Sequence, residues 1–338
     1  MWRVRTMSRD YERPTVPKPY AFVPIAVPRK GETVGHEQIL GEGYVSGRLV
    51  YQLRALTPIF VASGGYALGE DVRHKEAPVV RACYRVDGVP TIPGSSLKGV
   101  VRSVAEAISP SCVTVTRLDR RLVPHQPKRR DECQPEKACP ACSIFGRMSR
   151  MSKVFFGDAR LARGETQLYH LPALYAPRAH RARATYQTKE GQFKGRKFYY
   201  HGRPAEDPQQ PPVEVIARGS LIRGTLSFEN LSGAELGLLF FALGLDGSIV
   251  LKLGGGKPSC LGSLQVEPGQ VEVLAPDHFM QAGPAVEIYE GDDLVAFIGE
   301  KLQQALAERL ILKEQSSALR KILGRHHLDE RECPAGMY

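Results

Sequence analysis

No stretch of this 338-residue chain approaches the roughly 20 consecutive apolar residues needed to span a bilayer, and its first residues lack the apolar core of a signal peptide. Those two absences predict a soluble, cytoplasmic protein with no membrane partner. Acidic residues are in deficit, 36 Asp and Glu against 46 Lys and Arg, for a formal charge of +10. Clustered cations displace counterions from phosphates, so the excess points to a polyanion. Two nucleotide-binding fingerprints are also missing. Gly254-Gly255-Gly256-Lys257 is followed by Pro258, which breaks the Walker pattern, and the dinucleotide spacing is absent too. Up to residue 47 there is no clear period, and Pro14, Pro17, Pro19, Pro24 and Pro28 forbid a continuous helix, so this part reads as an extended arm.

A hydrophobic fraction of 42% is enough for a real core, and the length suits one elaborated core or two related halves. Regular periodicity begins at Leu49, where Leu49, Tyr51, Leu53 and Ala55 alternate with Val50, Gln52 and Arg54 as in a half-buried strand. Ser63-Gly64-Gly65 reads as a turn, and Val79 to Val86 as a short strand before the turn at Asp87-Gly88. Pro93-Gly94-Ser95-Ser96 opens a helix with Leu97, Val101 and Val104 on one face, with Ser95 or Ser96 expected as its cap and Pro110 as its stop. Later, Ile222, Gly224, Leu226 and Phe228 alternate as a strand, Ser232 and Glu235 match a capping box, and Leu236 to Leu245 reads as an apolar helix. Ile249, Leu251 and Leu253 form the next strand, with Leu264 and Val266 in a short last one.

The expected divisions are an arm (1–47), a first half-core (48–110), an insertion (111–152), a second half-core (153–268) containing a basic and aromatic insertion (164–215), and a C-terminal helical appendage (269–338). Two β-α-β halves of this kind predict an α+β fold with a ferredoxin-like sheet.

Basic residues concentrate in the arm, from Arg117 to Lys153, and from Arg178 to Arg203, the last interleaved with Tyr186, Phe193, Phe198, Tyr199 and Tyr200. Such mixing suits single-stranded nucleic acid, because bases stack on rings while phosphates meet cations. Lys98 and Arg102, at i and i+4 near a helix start, can reach one phosphate. The three glycines can bring backbone N–H groups close to another, with Lys257 as a point charge, although a tight turn between strands would need the same glycines. His201, beside Arg196, Lys197 and Tyr199, is a candidate general base. Cys139-x2-Cys142 with Cys133 has the spacing of a structural zinc knuckle, with His125 as the expected fourth ligand and Cys112 as the alternative.

The blocks Thr57–Gly64, Ala77-Pro78-Val79-Val80-Arg81, Ile92-Pro93-Gly94-Ser95-Ser96-Leu97-Lys98-Gly99, Cys139–Gly146, Phe156-Gly157-Asp158 and the glycine loop occur in the order found in the RAMP superfamily of CRISPR-associated proteins, which the chain resembles over roughly residues 49 to 266. The resemblance implies a ferredoxin-like (RRM-like) palm with a β-hairpin thumb and zinc-binding insertions. It implies a backbone-type subunit of a type III effector complex, partnered by CRISPR RNA, target single-stranded RNA and other Cas subunits. Positions holding the guide would be Ser95, Ser96, Lys98, Arg102, Arg196, Lys197, Tyr199, Gly255 and Lys257. Where catalytic relatives carry an aspartate that cuts target RNA with Mg²⁺, this chain has Glu76, with Asp71 nearby. Cleavage through Asp71 or Glu76 is therefore one expectation. A metal-independent endoribonuclease acting on the precursor guide through His201, and a non-catalytic capping or scaffold subunit, are the alternatives.

Overall fold

The computed structural model describes residues 18–36, 43–113, 122–125, 132–174, 183–275 and 286–334. Arg117, Arg178 and the first 17 residues of the expected arm lie outside the described residues.

Alternation of apolar side chains builds the centre. Strand β1 (Tyr44–Ala55) buries Leu49, Tyr51, Leu53 and Ala55 and turns Arg48, Val50, Gln52 and Arg54 the other way. It is followed by helix α1 (Gly94–Ile108), strand β2 (Ala159–Arg163), strand β3 (Leu221–Ser232), helix α2 (Gly233–Ala242) and strand β4 (Ser263–Leu274). In space the strands run β4-β1-β3-β2, each antiparallel to its neighbour. Leu49 sits opposite both Leu226 and Val271, so the buried faces of three strands are in register. The helices cover that face. The other face carries cross-strand pairs, Arg48 with Glu272 at 2.9 Å and Arg54 with Glu267 at 2.6 Å. None of the four outward residues of β1 from Arg48 to Arg54 is aromatic, so this part of the sheet lacks the stacking platform of an RRM.

The capping box forms as the sequence predicts: Glu235 N–H donates to Ser232 Oγ, and Ser232 N–H donates to the Glu235 carboxylate. The cap of α1 differs. The helix begins at Gly94, no side chain of its own caps it, and Gly94 N–H donates instead to Asp158 Oδ1 at 2.8 Å. A Cβ on Gly94 would lie 2.0 Å from the Phe156 carbonyl oxygen, so glycine lets the helix start against the strand Val154–Phe156.

One other expectation needs correction. Ser63-Gly64-Gly65 lies inside a strand, Ala62–Leu68, not in a turn; it pairs antiparallel with Val79–Cys83 as a hairpin. The insertion 164–215 has a strand at either end. Its ends, Thr166–Tyr169 and Val213–Ile216, pair with each other and join the hairpin in a four-stranded sheet. In the arm, Tyr20–Val23 pairs antiparallel with Arg196–Tyr199.

The C-terminal part is more than helical. Strand β4 runs on to Leu274 and pairs with Val286–Tyr289. Helix α3 (Gly291–Ala307) and helix α4 (Lys313–Leu323) follow. Leu294, Phe297, Ile298 and Ala305 of α3 enter the main core, as do Leu319, Ile322 and Leu323 of α4. Gly237 of α2 permits the close approach of α3, because a Cβ there would meet the Lys301 carbonyl oxygen at 1.9 Å. Cys260 and Cys333 are joined as a disulfide, Cα to Cα 5.8 Å, which ties the last described residues to the glycine loop. Among the described residues, no helix is long and apolar enough to cross a membrane.

Candidate nucleic-acid interface

Three segments distant in sequence meet around one cavity of about 510 Å³: the first turns of α1, the strand Arg196–Tyr199 and the glycine loop. Ser95 and Ser96 bring the positive end of the α1 dipole to it. Lys197, Lys252 and Lys257 come from the other two sides, and among the described residues no Asp or Glu lines it.

The three lysines differ in setting. Lys197 Nζ donates to Tyr199 Oη at 2.9 Å and lies 4.6 Å above the Tyr20 ring. Burial pulls the Lys257 ammonium below the ordinary lysine range, and the charge of Lys197 pulls it further. Lys252 is buried, donates to Ser263 Oγ at 3.2 Å, and is held well below that range by burial first and Lys257 second. Both shifts come from desolvation and like charge, and an anion in the cavity would relieve the second. Sequence reading missed Lys252, which sits between Leu251 and Leu253 in an apolar run.

Other predicted cations are engaged within the chain. Glu106, buried in α1, accepts from Arg102 Nε at 2.7 Å and also from Arg196 Nη1, and Arg102 Nη1 donates to the Gly146 carbonyl at 3.0 Å. Lys98 is partly buried and lowered, by burial first and Arg102 second. Arg147 donates to the Cys133 carbonyl, and Arg150 donates to the carbonyls of Pro135 and Val34, so both brace the insertion.

The glycine loop works differently from the sequence expectation. The Gly255 N–H donates to the Phe60 carbonyl at 2.7 Å and is not offered to a ligand. Gly254, at φ +90°, would place a Cβ 2.4 Å from that same oxygen. These glycines let the loop press on Phe60 and set Lys257 at the start of the turn Lys257–Ser259.

His201 is fully buried. Its Nδ1 is 2.8 Å from Ser263 Oγ and its Nε2 is 3.1 Å from the Val250 carbonyl, so it reaches no substrate. Burial first, then Lys252, holds its imidazole well below the usual histidine range.

The cysteines form a closed tetrad. Cys112, Cys133, Cys139 and Cys142 are all buried, with sulfurs within 4.8 Å of one another. From Cys112 Sγ the others lie at 3.9, 3.6 and 3.7 Å, against about 3.8 Å for the edge of a tetrahedron with Zn–S bonds near 2.3 Å. Cys112 N–H points at Cys139 Sγ and Cys139 N–H at Cys133 Sγ, the donors a thiolate cluster needs. The donor set therefore fits structural zinc, which would fasten the end of α1 to the short helix Pro140–Phe145. The fourth member is Cys112, not His125, which is exposed at a positive φ of 58° and outside the group.

The RAMP superfamily model matches residues 52–265, from within β1 to the start of β4. The chain belongs to the RAMP superfamily. As a class, RAMP proteins are CRISPR-associated, bind RNA and work with other Cas subunits. No curated protein matches the chain.

In this RAMP protein the hairpin loop after Leu68 carries the two carboxylates proposed for cutting. Asp71 and Glu76 are both exposed, Glu76 at 64% of its side chain, and neither lines the lysine cavity. Glu76 lies 3.4 Å from His74 Nδ1, and His74 Nε2 lies 3.2 Å from Thr166 Oγ1 and 3.6 Å from the buried Glu214. Glu214 in turn accepts from Arg85 and from the Cys83 N–H. Among the described residues, neither Asp71 nor Glu76 belongs to a group of three or more metal-capable side chains. Mg²⁺ at this loop thus has no support here.

Proposed function

We propose that this RAMP protein is a backbone-type subunit of a type III CRISPR effector complex that holds the guide RNA, and that its contribution is binding rather than cutting. One observation carries the reading: Lys197, Lys252 and Lys257 converge with the start of α1 on a cavity that no carboxylate among the described residues lines. A backbone phosphate supplies the missing negative charge, and Tyr199 at the rim can stack on a base. The β4-β1-β3-β2 order with α1 and α2 on one face supports a ferredoxin-like palm, with residues 48–110 and 153–268 as its halves, 111–152 as the zinc insertion and the hairpin at Ala62–Cys83 as the thumb. Complementary target RNA and neighbouring Cas subunits are the further partners, and the cytoplasm is the place of action.

The test is fluorescence anisotropy of repeat-derived single-stranded RNA across a salt series. Lys197→Glu with Lys257→Glu is expected to weaken binding at least about tenfold, and to flatten the salt slope by about 0.7 for each phosphate no longer neutralised. Unchanged affinity and slope would overturn the reading.

A further inference from the structure

The C-terminal segment holds a second group of metal-capable side chains, separate from the cysteine tetrad. His326, His327 and Glu330 bring donor atoms within 4.8 Å of one another, His326 and Glu330 exposed and His327 buried. The single turn His327–Glu330 places residue i beside residue i+3, and the two imidazole rings are 3.8 Å apart.

The hydrogen bonding of His327 gives the group its direction. Nε2 lies 2.9 Å from the Lys321 carbonyl oxygen, which can only accept, so Nε2 carries a proton. In a neutral imidazole Nδ1 is then a bare lone pair, and it faces Glu330 Oε2, also an acceptor, at 3.3 Å. Two acceptors so placed repel each other unless a proton or a metal cation joins them. Arg331 does not supply it: its Nη2 is 3.4 Å from Nε2, on the other side of the ring, and its guanidinium lies over Tyr200 at 3.9 Å. An N–H anchored on a backbone carbonyl, with the opposite nitrogen turned toward a carboxylate and a second imidazole, is the arrangement metal-binding histidines adopt.

The geometry points to a divalent transition-metal site formed by His327 Nδ1, a ring nitrogen of His326 and the Glu330 carboxylate. Two imidazoles and one carboxylate are a donor set for zinc and its first-row neighbours, not for Mg²⁺ or Ca²⁺, and the exposed side leaves room for water as a further ligand. The site would pin a segment already strung along the molecule, since Arg203 N–H donates to the Arg331 carbonyl at 2.7 Å and Cys333 is bonded to Cys260. A metal here therefore stiffens the turn from which the tail runs on to its disulfide with the glycine loop.

The experiment compares wild type with a His326→Ala, Glu330→Gln double variant of the full chain. Both are stripped with chelator, reloaded with Zn²⁺, desalted and counted for metal. Both substitutions are at exposed positions, and unchanged circular dichroism verifies the fold. The double variant is expected to hold one zinc equivalent fewer than wild type, whatever the cysteine tetrad contributes to both. Equal stoichiometry would overturn the site and leave His327 and Glu330 as a proton-bridged ion pair.

Discussion

Lys252 and Lys257 line one cavity with like charges, and burial followed by the Lys257 charge holds the Lys252 ammonium well below its ordinary range. A base lowered by folding binds fewer protons in the native protein than in the unfolded chain. The resulting destabilisation is complete below the lowered pKa and fades as pH rises toward 10.5. Lys252→Met is therefore expected to raise the urea midpoint at neutral pH while weakening RNA binding about tenfold, roughly 1.4 kcal/mol. RNA phosphate raises the same pKa, so wild-type affinity falls as pH climbs through the lowered value, and Lys252→Met flattens that dependence. Loss of stability together with affinity would count against an anion-seeking role.

Glu106 has the opposite character, since its buried carboxylate accepts from both Arg102 and Arg196. Glu106→Gln leaves two guanidinium groups without their shared counter-charge. Urea unfolding should show a loss of roughly 3 kcal/mol. A change of less than half that size would mean that the arginines find other partners.

The two candidate fourth zinc ligands are separable by metal counting. Cys112→Ser should release the tetrad's zinc and loosen residues 132–152, because a structural zinc site contributes about 10 kcal/mol or more to the fold around it. His125→Ala should retain the metal and the melting temperature. The reverse pattern would return His125 to the site.

For cutting, the assay is the assembled complex with complementary RNA and Mg²⁺. Asp71→Ala combined with Glu76→Ala is expected to leave both RNA binding and target cleavage unchanged. Abolished cleavage with binding intact would make the hairpin loop a nuclease centre and this subunit an enzyme.

Local signals are legible in the sequence, and long-range ones are not. The Ser232–Glu235 box can be read because both partners lie within one helical turn, and β1 because alternation is a property of seven consecutive residues. Cys112 ranks below His125 on spacing alone because 21 residues separate it from Cys133 and only the fold brings them together. Lys252 hides in an apolar run, and Glu106 and Glu214 give no motif at all. Ser63-Gly64-Gly65 looks like a turn because glycine favours turns, yet it is an irregularity within a strand, between Ala62 opposite Cys83 and Tyr66 opposite Arg81, with Gly64 at φ +90°. The cationic stretches overstate the interface, since Arg147 and Arg150 serve backbone carbonyls of the insertion.

Glu214 sits in Val213–Ile216, at the end of what looks in sequence like a removable insertion, yet it accepts from the Cys83 N–H and from Arg85 beyond the hairpin. Shortening this protein by excising residues 164–215 would strand a guanidinium and a backbone donor some 130 residues upstream. The natural seams for grafting or trimming therefore do not follow the chain's linear punctuation: hairpin and insertion have to travel together.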